Sequence, residues 1–315
     1  MSSKITIIGA GSVGSTIAYT LSSQDIASEI VLIDINKKKA EGEVLDIIQG
    51  TCFRDPISII AGDYEDARDS DIVIITSGIA RKPGQTRIEL TQTNVNILKS
   101  ITPQIVKEAP DAKYIIVSNP VDIMTYVFTK ISGLPENQIM GSGTILDTAR
   151  LRYGLSEHFK VAQGNIHAYV FGEHGDTSFI PWTGAYISGL STDEYYEEMK
   201  AHGKDVKPLD KEAMLEYVQK SGGKVIAKKG ATFYAVSATV CQLVGLILAA
   251  SDSLATVSSM LHGEYGIEDV CLSTLTLVGP NGTQGKVQMR MNKEEVALLK
   301  KSADALKEVI AQIEL

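Results

Sequence analysis

Near the middle of the chain, Gly172, Glu173, His174, Gly175, Asp176 and Thr177 set a histidine between an acidic neighbour and two glycines. An imidazole titrates near pH ~6.5, so His174 can give or take a proton around neutrality. A carboxylate bonded to one ring nitrogen would decide which nitrogen faces a substrate. An exposed loop histidine between two strands would carry the same local sequence. Upstream, residues 144–152 read as helical, and Asp147 and Arg150 share one face at a spacing of i,i+3. A carboxylate and a guanidinium can therefore point into the same cleft, the guanidinium with a planar fork suited to a substrate carboxylate. A plain helical salt bridge has the same spacing. A third group of charges, Arg81, Lys82 and Arg87, shares the segment 79–87 with Pro83 and Gly84. Cations in such a loop predict a mobile lid that carries positive charge to an anionic ligand, with a solvated surface loop as the alternative.

These residues need a scaffold, and the N-terminal stretch predicts one. Residues 4–8 are a β-rich run leading into Gly9, Ala10, Gly11, Ser12, Val13 and Gly14, with a helical pattern over 15–23. Strand, glycine turn and helix in that order form a dinucleotide site. Gly9 permits the tight turn, Gly11 lets the backbone approach a pyrophosphate, and Gly14 lets the helix lie close on the strand. The helix N-terminus offers free N–H groups to the phosphates beside Val13. The next apolar run ends at Asp34, 20 positions after Gly14, where a carboxylate can accept hydrogen bonds from an adenosine ribose and would repel a 2′-phosphate. That selects NAD. Further strands are expected at 57–61, 72–76, 114–118 and 138–141, alternating with helices, as in a doubly wound parallel sheet. Gly78 and Asn119 each follow a strand end, where such sheets bind ligands. The division expected is a Rossmann-type dinucleotide-binding domain over 1–143 and an α+β substrate domain over 144–315. In the second, runs 165–172 and 179–188 should flank His174 as an antiparallel element. Residues 192–218 are helix-like with a break near Gly203, 271–278 and 285–291 bracket a hairpin turn at Pro280 to Gly282, and 293–315 form a closing amphipathic helix.

With 315 residues, 44% hydrophobic and 22% charged, the chain can bury a sizeable core. A formal charge of −8 argues against a nucleic-acid surface. Cys52, Cys241 and Cys271 are scattered, so neither a zinc site nor a disulfide framework is expected, and no metal is assigned. The N-terminus lacks a secretory pattern, which predicts a cytoplasmic address. Residues 231–251 carry no charge and are long enough to span a bilayer, but polar side chains dilute them. A helix buried between domains or subunits is the better expectation.

Taken together, GAGSVG, RKPGQTR, SNPVDI, GSGTILDTARLR, NIHAYVFGEHGDTS and KKGATFY resemble the lactate/malate dehydrogenase superfamily from end to end, and most closely its bacterial L-lactate branch. The resemblance implies hydride transfer between NADH and pyruvate, with His174 as acid/base and Asp147 as its orienting carboxylate. It implies Arg150 as carboxylate anchor, Arg87 polarising the carbonyl, Asn119 bonding the same oxygen and Thr232 lining the pocket. Arg81 departs from the pattern: its position is usually Gln in lactate enzymes and Arg in malate enzymes. Oxaloacetate reduction is thereby kept open as the alternative. Arg152 and His167 match the positions that bind fructose 1,6-bisphosphate in allosteric bacterial members, and a homotetramer is implied.

Overall fold

Short runs rich in Ile and Val suit strands buried on both faces, which is how a parallel sheet covered by helices presents them. Strands β1 (Lys4–Ile8), β2 (Glu29–Ile33), β3 (Ser58–Ala61), β4 (Ile72–Ile75), β5 (Lys113–Ile116) and β6 (Ile139–Gly141) pair in parallel in the order β3-β2-β1-β4-β5-β6. The computed structural model that shows this describes residues 3–53, 55–80, 84 and 86–315. Between the strands run α1 (Ser12–Ser23), α2 (Lys37–Gln49), α3 (Arg87–Glu108) and α4 (Val121–Ser132). Alternation along each strand decides which helices it meets. Ile8, Val73 and Ile75 pack with Val95 and Leu98 of α3 and Phe128 of α4, whereas Ile7, Ile72 and Ile74 pack with Ile17 of α1 and Val44 of α2. Strand order reverses between β1 and β4, which opens a crevice at their carboxyl ends.

The second half begins with α5 (Ile145–Phe159). It continues through a small antiparallel sheet of β7 (Ile166–His167), β8 (Tyr186–Ile187) and β9 (Leu190–Ser191), then α6 (Thr192–Ala201), α7 (Lys211–Lys229) and α8 (Tyr234–Leu248). Strands β10 (Ser253–Ala255), β11 (Ser258–His262), β12 (Glu268–Ser273), β13 (Thr276–Gly279) and β14 (Gly282–Lys286) precede the last helix, α9 (Lys293–Ile310). β11 and β12 do not stay in the second half. They extend the main sheet beyond β6 as antiparallel strands, making eight in all, so the parallel sheet expected from sequence carries a mixed edge.

Several expected boundaries move. The run 271–278 is not one strand: β12 ends at Ser273 in the large sheet and β13 starts at Thr276 in a separate three-stranded one. The hairpin is present, but its second arm is Gly282–Lys286 rather than 285–291. The strands flanking His174 are shorter than expected: β7 and β8 pair over two residues each, and nearer the loop only a Phe171–Phe179 bridge remains. α7 continues past Val218 to Lys229 through Gly222 and Gly223. Each of those glycines costs a helix about 0.5–1 kcal/mol relative to alanine, which is why local sequence reads as a stop there. Packing of α7 on α5 outweighs that cost. The uncharged stretch around residue 240 becomes α8, whose Val240, Leu243 and Val244 are buried with Ile17 of α1. Among the described residues, no helix is long and apolar enough to cross a membrane.

Candidate active site

The glycine turn is built as its residue types require. Gly9 has φ +113°, and a Cβ there would stand 2.6 Å from Thr76 Oγ1; a Cβ on Gly14 would lie 1.8 Å from the Gly9 carbonyl oxygen. Gly11 differs, because a Cβ on it would meet nothing within 4 Å. It is the N-cap of α1, with no side-chain cap and no acidic residue in the first turn. The turn therefore leaves open space in front of uncapped N–H groups at a positive helix end, a cradle fitted to a pyrophosphate. Asp34 stands just past β2, with Oδ2 accepting from Ala10 N at 2.6 Å and Oδ1 from Asn36 N at 2.8 Å. Each oxygen keeps a lone pair for a ribose hydroxyl. The residues thus fit the adenosine and pyrophosphate of NAD.

From this turn a cleft of about 470 Å³ runs to His174, lined among others by Val13, Gly78, Asn119, Asp147, Arg150, His174 and Thr232. Seven of the residues singled out from sequence thus share one cavity. Asn94 on α3 ties its floor together: Oδ1 accepts Ile79 N at 2.9 Å and Nδ2 donates to Asn119 O at 2.8 Å. The Asn119–Pro120 peptide is cis.

At the far end, α5 presents Asp147 and Arg150 on one face. Arg150 Nη1 donates to Asp147 Oδ1 at 2.9 Å, and His174 Nδ1 meets Asp147 Oδ2 at 2.5 Å. Asp147 is 7% exposed, and 29% of the His174 side chain is open at the cleft mouth. The negative charge of Asp147 raises the His174 pKa above its ordinary value; burial opposes this, while the Asp147 hydrogen bond and the charge of Asp122 add to it. Burial pushes the Asp147 carboxyl up, but the charges and hydrogen bonds of His174 and Arg150 outweigh it and hold the carboxyl below the usual range. With Nδ1 bonded to the carboxylate, Nε2 is left for a substrate.

Arg87 is not among the cleft-lining residues. It is the first residue of α3, whose N-terminus is closed by a capping box of Thr86 and Glu89, and its Nη2 donates to Glu173 Oε2 at 3.2 Å. The guanidinium is 51% exposed, whereas Glu173 is 3% exposed and also accepts Thr177 N at 3.1 Å. Arg81, Lys82 and Pro83, on which the lid expectation rests, lie outside the described residues. Arg152 Nε donates to Ala168 O at 3.2 Å with the guanidinium 5.2 Å over the Tyr169 ring, and His167, on β7, is exposed. Neither lines the cleft.

Two acids to which sequence reading gave no partner belong to this arrangement. One is Glu173, the partner of Arg87; the other is Asp122, whose Oδ2 accepts the main-chain N–H of His174 at 2.7 Å. Asp122 sits within the SNPVDI stretch, but nothing local marks it as buried.

Comparison with known proteins agrees with this geometry at both halves. Residues 3–141 match the family described as lactate/malate dehydrogenase, NAD binding domain, and residues 144–314 match the lactate/malate dehydrogenase alpha/beta C-terminal domain. An L-lactate dehydrogenase of Acetivibrio thermocellus is 48% identical over 312 residues, covering 99% of this chain and 98% of that protein. L-lactate dehydrogenase 1 of Clostridium acetobutylicum is 47% identical over 98% of both chains. Among solved structures, the minor L-lactate dehydrogenase of Enterococcus mundtii superposes with a TM-score of 0.94 at 35% identity, covering 100% of this chain and 99% of that one.

Proposed function

The chain belongs to the lactate/malate dehydrogenase family and is an NAD-dependent oxidoreductase, and from that premise we propose that it interconverts pyruvate and L-lactate with His174 as the proton carrier. The observation that carries the reading is the Arg150–Asp147–His174 chain at the end of the cleft, with contacts of 2.9 and 2.5 Å. When bound, NADH supplies the hydride that reduces the carbonyl carbon. Arg150, at the cleft wall, grips the substrate carboxylate, and Asn119 donates to the carbonyl oxygen. His174 donates its Nε2 proton to that oxygen as charge develops there, and Asp147 stabilises the imidazolium before transfer. Arg87 acts on the same oxygen, for which it must exchange Glu173 for the substrate. Thr232 packs beside the substrate methyl group.

The test is His174→Asn. Turnover with pyruvate should fall by roughly 10²–10⁴-fold while NADH still binds, as read by nucleotide fluorescence. Unchanged turnover would refute the assignment.

Named relatives of high identity are L-lactate dehydrogenases, which disfavours the malate alternative. Arg81 is then a source of side activity: its cation can face the second carboxylate of oxaloacetate, and its long stem can carry the head to water when pyruvate is bound. Arg81→Gln should lower oxaloacetate reduction and leave pyruvate reduction nearly intact. Arg152 is bonded to the carbonyl of Ala168, the residue after exposed His167, and this closeness along the chain supports fructose 1,6-bisphosphate as an activator. The enzyme is proposed to work in the cytoplasm as a homotetramer, supported by apolar surface that a monomer would leave in water.

A further inference from the structure

Behind the His174 loop stands a carboxylate that the mechanism above does not use. Asp122 lies in the first turn of α4 and is 3% exposed. Its Oδ2 holds the His174 N–H at 2.7 Å, whereas its Oδ1 is buried with no hydrogen-bond partner, as is Ser258 Oγ on β11. These two atoms belong to interacting groups. The Ser258 hydroxyl draws the Asp122 carboxyl down, although the pair falls outside ordinary hydrogen-bond geometry. Holding one main-chain N–H needs only a neutral amide oxygen. A carboxylate in so enclosed a place is costly to keep, and what it adds over an amide is charge.

We propose that Asp122 is a positioning residue for the proton-transfer step: it anchors the His174 main chain to α4 and places a second buried negative charge beside that of Asp147. The imidazolium is then favoured by two carboxylates from different helices. This rests on the reading of His174 as the proton carrier. The other groups facing this centre are Arg150 of α5, which opposes the imidazolium, and Glu173 in the same loop, paired with Arg87 of α3. The Cys271 thiol of β12 also feels the charge of Asp122 and is pushed up mainly by burial. Burial raises Asp122 to about 6, against the pull of Ser258 and the His174 N–H. His174 is raised first by Asp147 and also by Asp122, so an ionised Asp122 delays the loss of the imidazolium as pH rises.

The experiment measures the pyruvate KM against pH in the wild type and in Asp122→Asn, which keeps the size and an acceptor oxygen but removes the charge. The rise in KM with pH should begin at lower pH in the variant, by on the order of one unit, the lower range of what a nearby charge does to a pKa. Superimposable curves overturn the proposal, even if the variant melts earlier. If Asp122→Asn does not fold, Asp122→Ser, which keeps an acceptor oxygen without the charge, decides on the same criterion: the curve should move to lower pH, and an unmoved curve overturns the proposal. His174→Asn separates the two claims. Wild-type turnover in that variant sinks the reading of His174, whereas lost turnover there with an unmoved Asp122→Asn curve sinks only the role of Asp122.

Discussion

His174 is raised first by the charge of Asp147, and that sign fixes a pH dependence. Pyruvate needs the imidazolium, so its binding is complete below the ordinary histidine pKa of ~6.5 and is lost as pH rises through the raised value. Lactate, which needs the neutral ring, should show the reverse. Pyruvate KM measured across pH should therefore be flat on the acid side and climb on the alkaline side. Asp147→Asn, by removing the largest cause, should bring the climb to lower pH and reduce kcat. Arg150 offers a second residue-scale prediction. Lysine cannot reproduce the planar fork, and a charged hydrogen bond lost costs ~1.5–3 kcal/mol, so Arg150→Lys should raise pyruvate KM by roughly 10- to 100-fold with NADH affinity kept. An unchanged KM would remove Arg150 from the substrate. Asp147 and Arg150 were legible in the sequence because their spacing alone sets them on one helix face. The pairings of Asp122 and Glu173 were not, because their partners lie 52 and 86 residues away and only the folded chain brings them there.

At the scale of elements, the glycine turn was the most legible part, since strand, turn and helix follow one another without a gap. Its tolerance is correspondingly small. With 1.8 Å between a Gly14 Cβ and the Gly9 carbonyl, Gly14→Ala must push α1 off β1. A cost of about 1–3 kcal/mol is expected from such overpacking, seen as a lower melting temperature together with weaker NADH binding. A variant with unaltered melting and NADH affinity would show that α1 does not depend on this close approach. What sequence left obscure was tertiary in origin. β12 and β13 read as one strand because Ser273 to Thr276 carries no glycine, proline, Asn or Asp, and only pairing with different sheets separates them. α7 read short because its glycines hide a helix that packing on α5 sustains.

For the molecule as a whole, the two halves are joined by β11 and β12 on the main sheet, so α4, α5 and the His174 loop are held against one framework. The apolar surface left over points outward. Leu45 and Ile48 of α2 are 57% and 38% exposed, Phe53 just beyond them is 89% exposed, and Tyr234 at the start of α8 is 68% exposed. Large apolar side chains exposed to this degree favour burial between subunits. Leu45→Lys should lower the assembly mass in sedimentation, whereas a wild-type mass would place the contact elsewhere. Fructose 1,6-bisphosphate should lower pyruvate KM in the wild type and lose that effect in Arg152→Ala, and a titration without effect in the wild type would exclude activation. The most direct check on the whole account is steady-state NADH oxidation by purified enzyme with pyruvate and with oxaloacetate, compared as kcat/KM. A clear preference for pyruvate is predicted; a preference for oxaloacetate that Arg81→Gln reverses would contradict it.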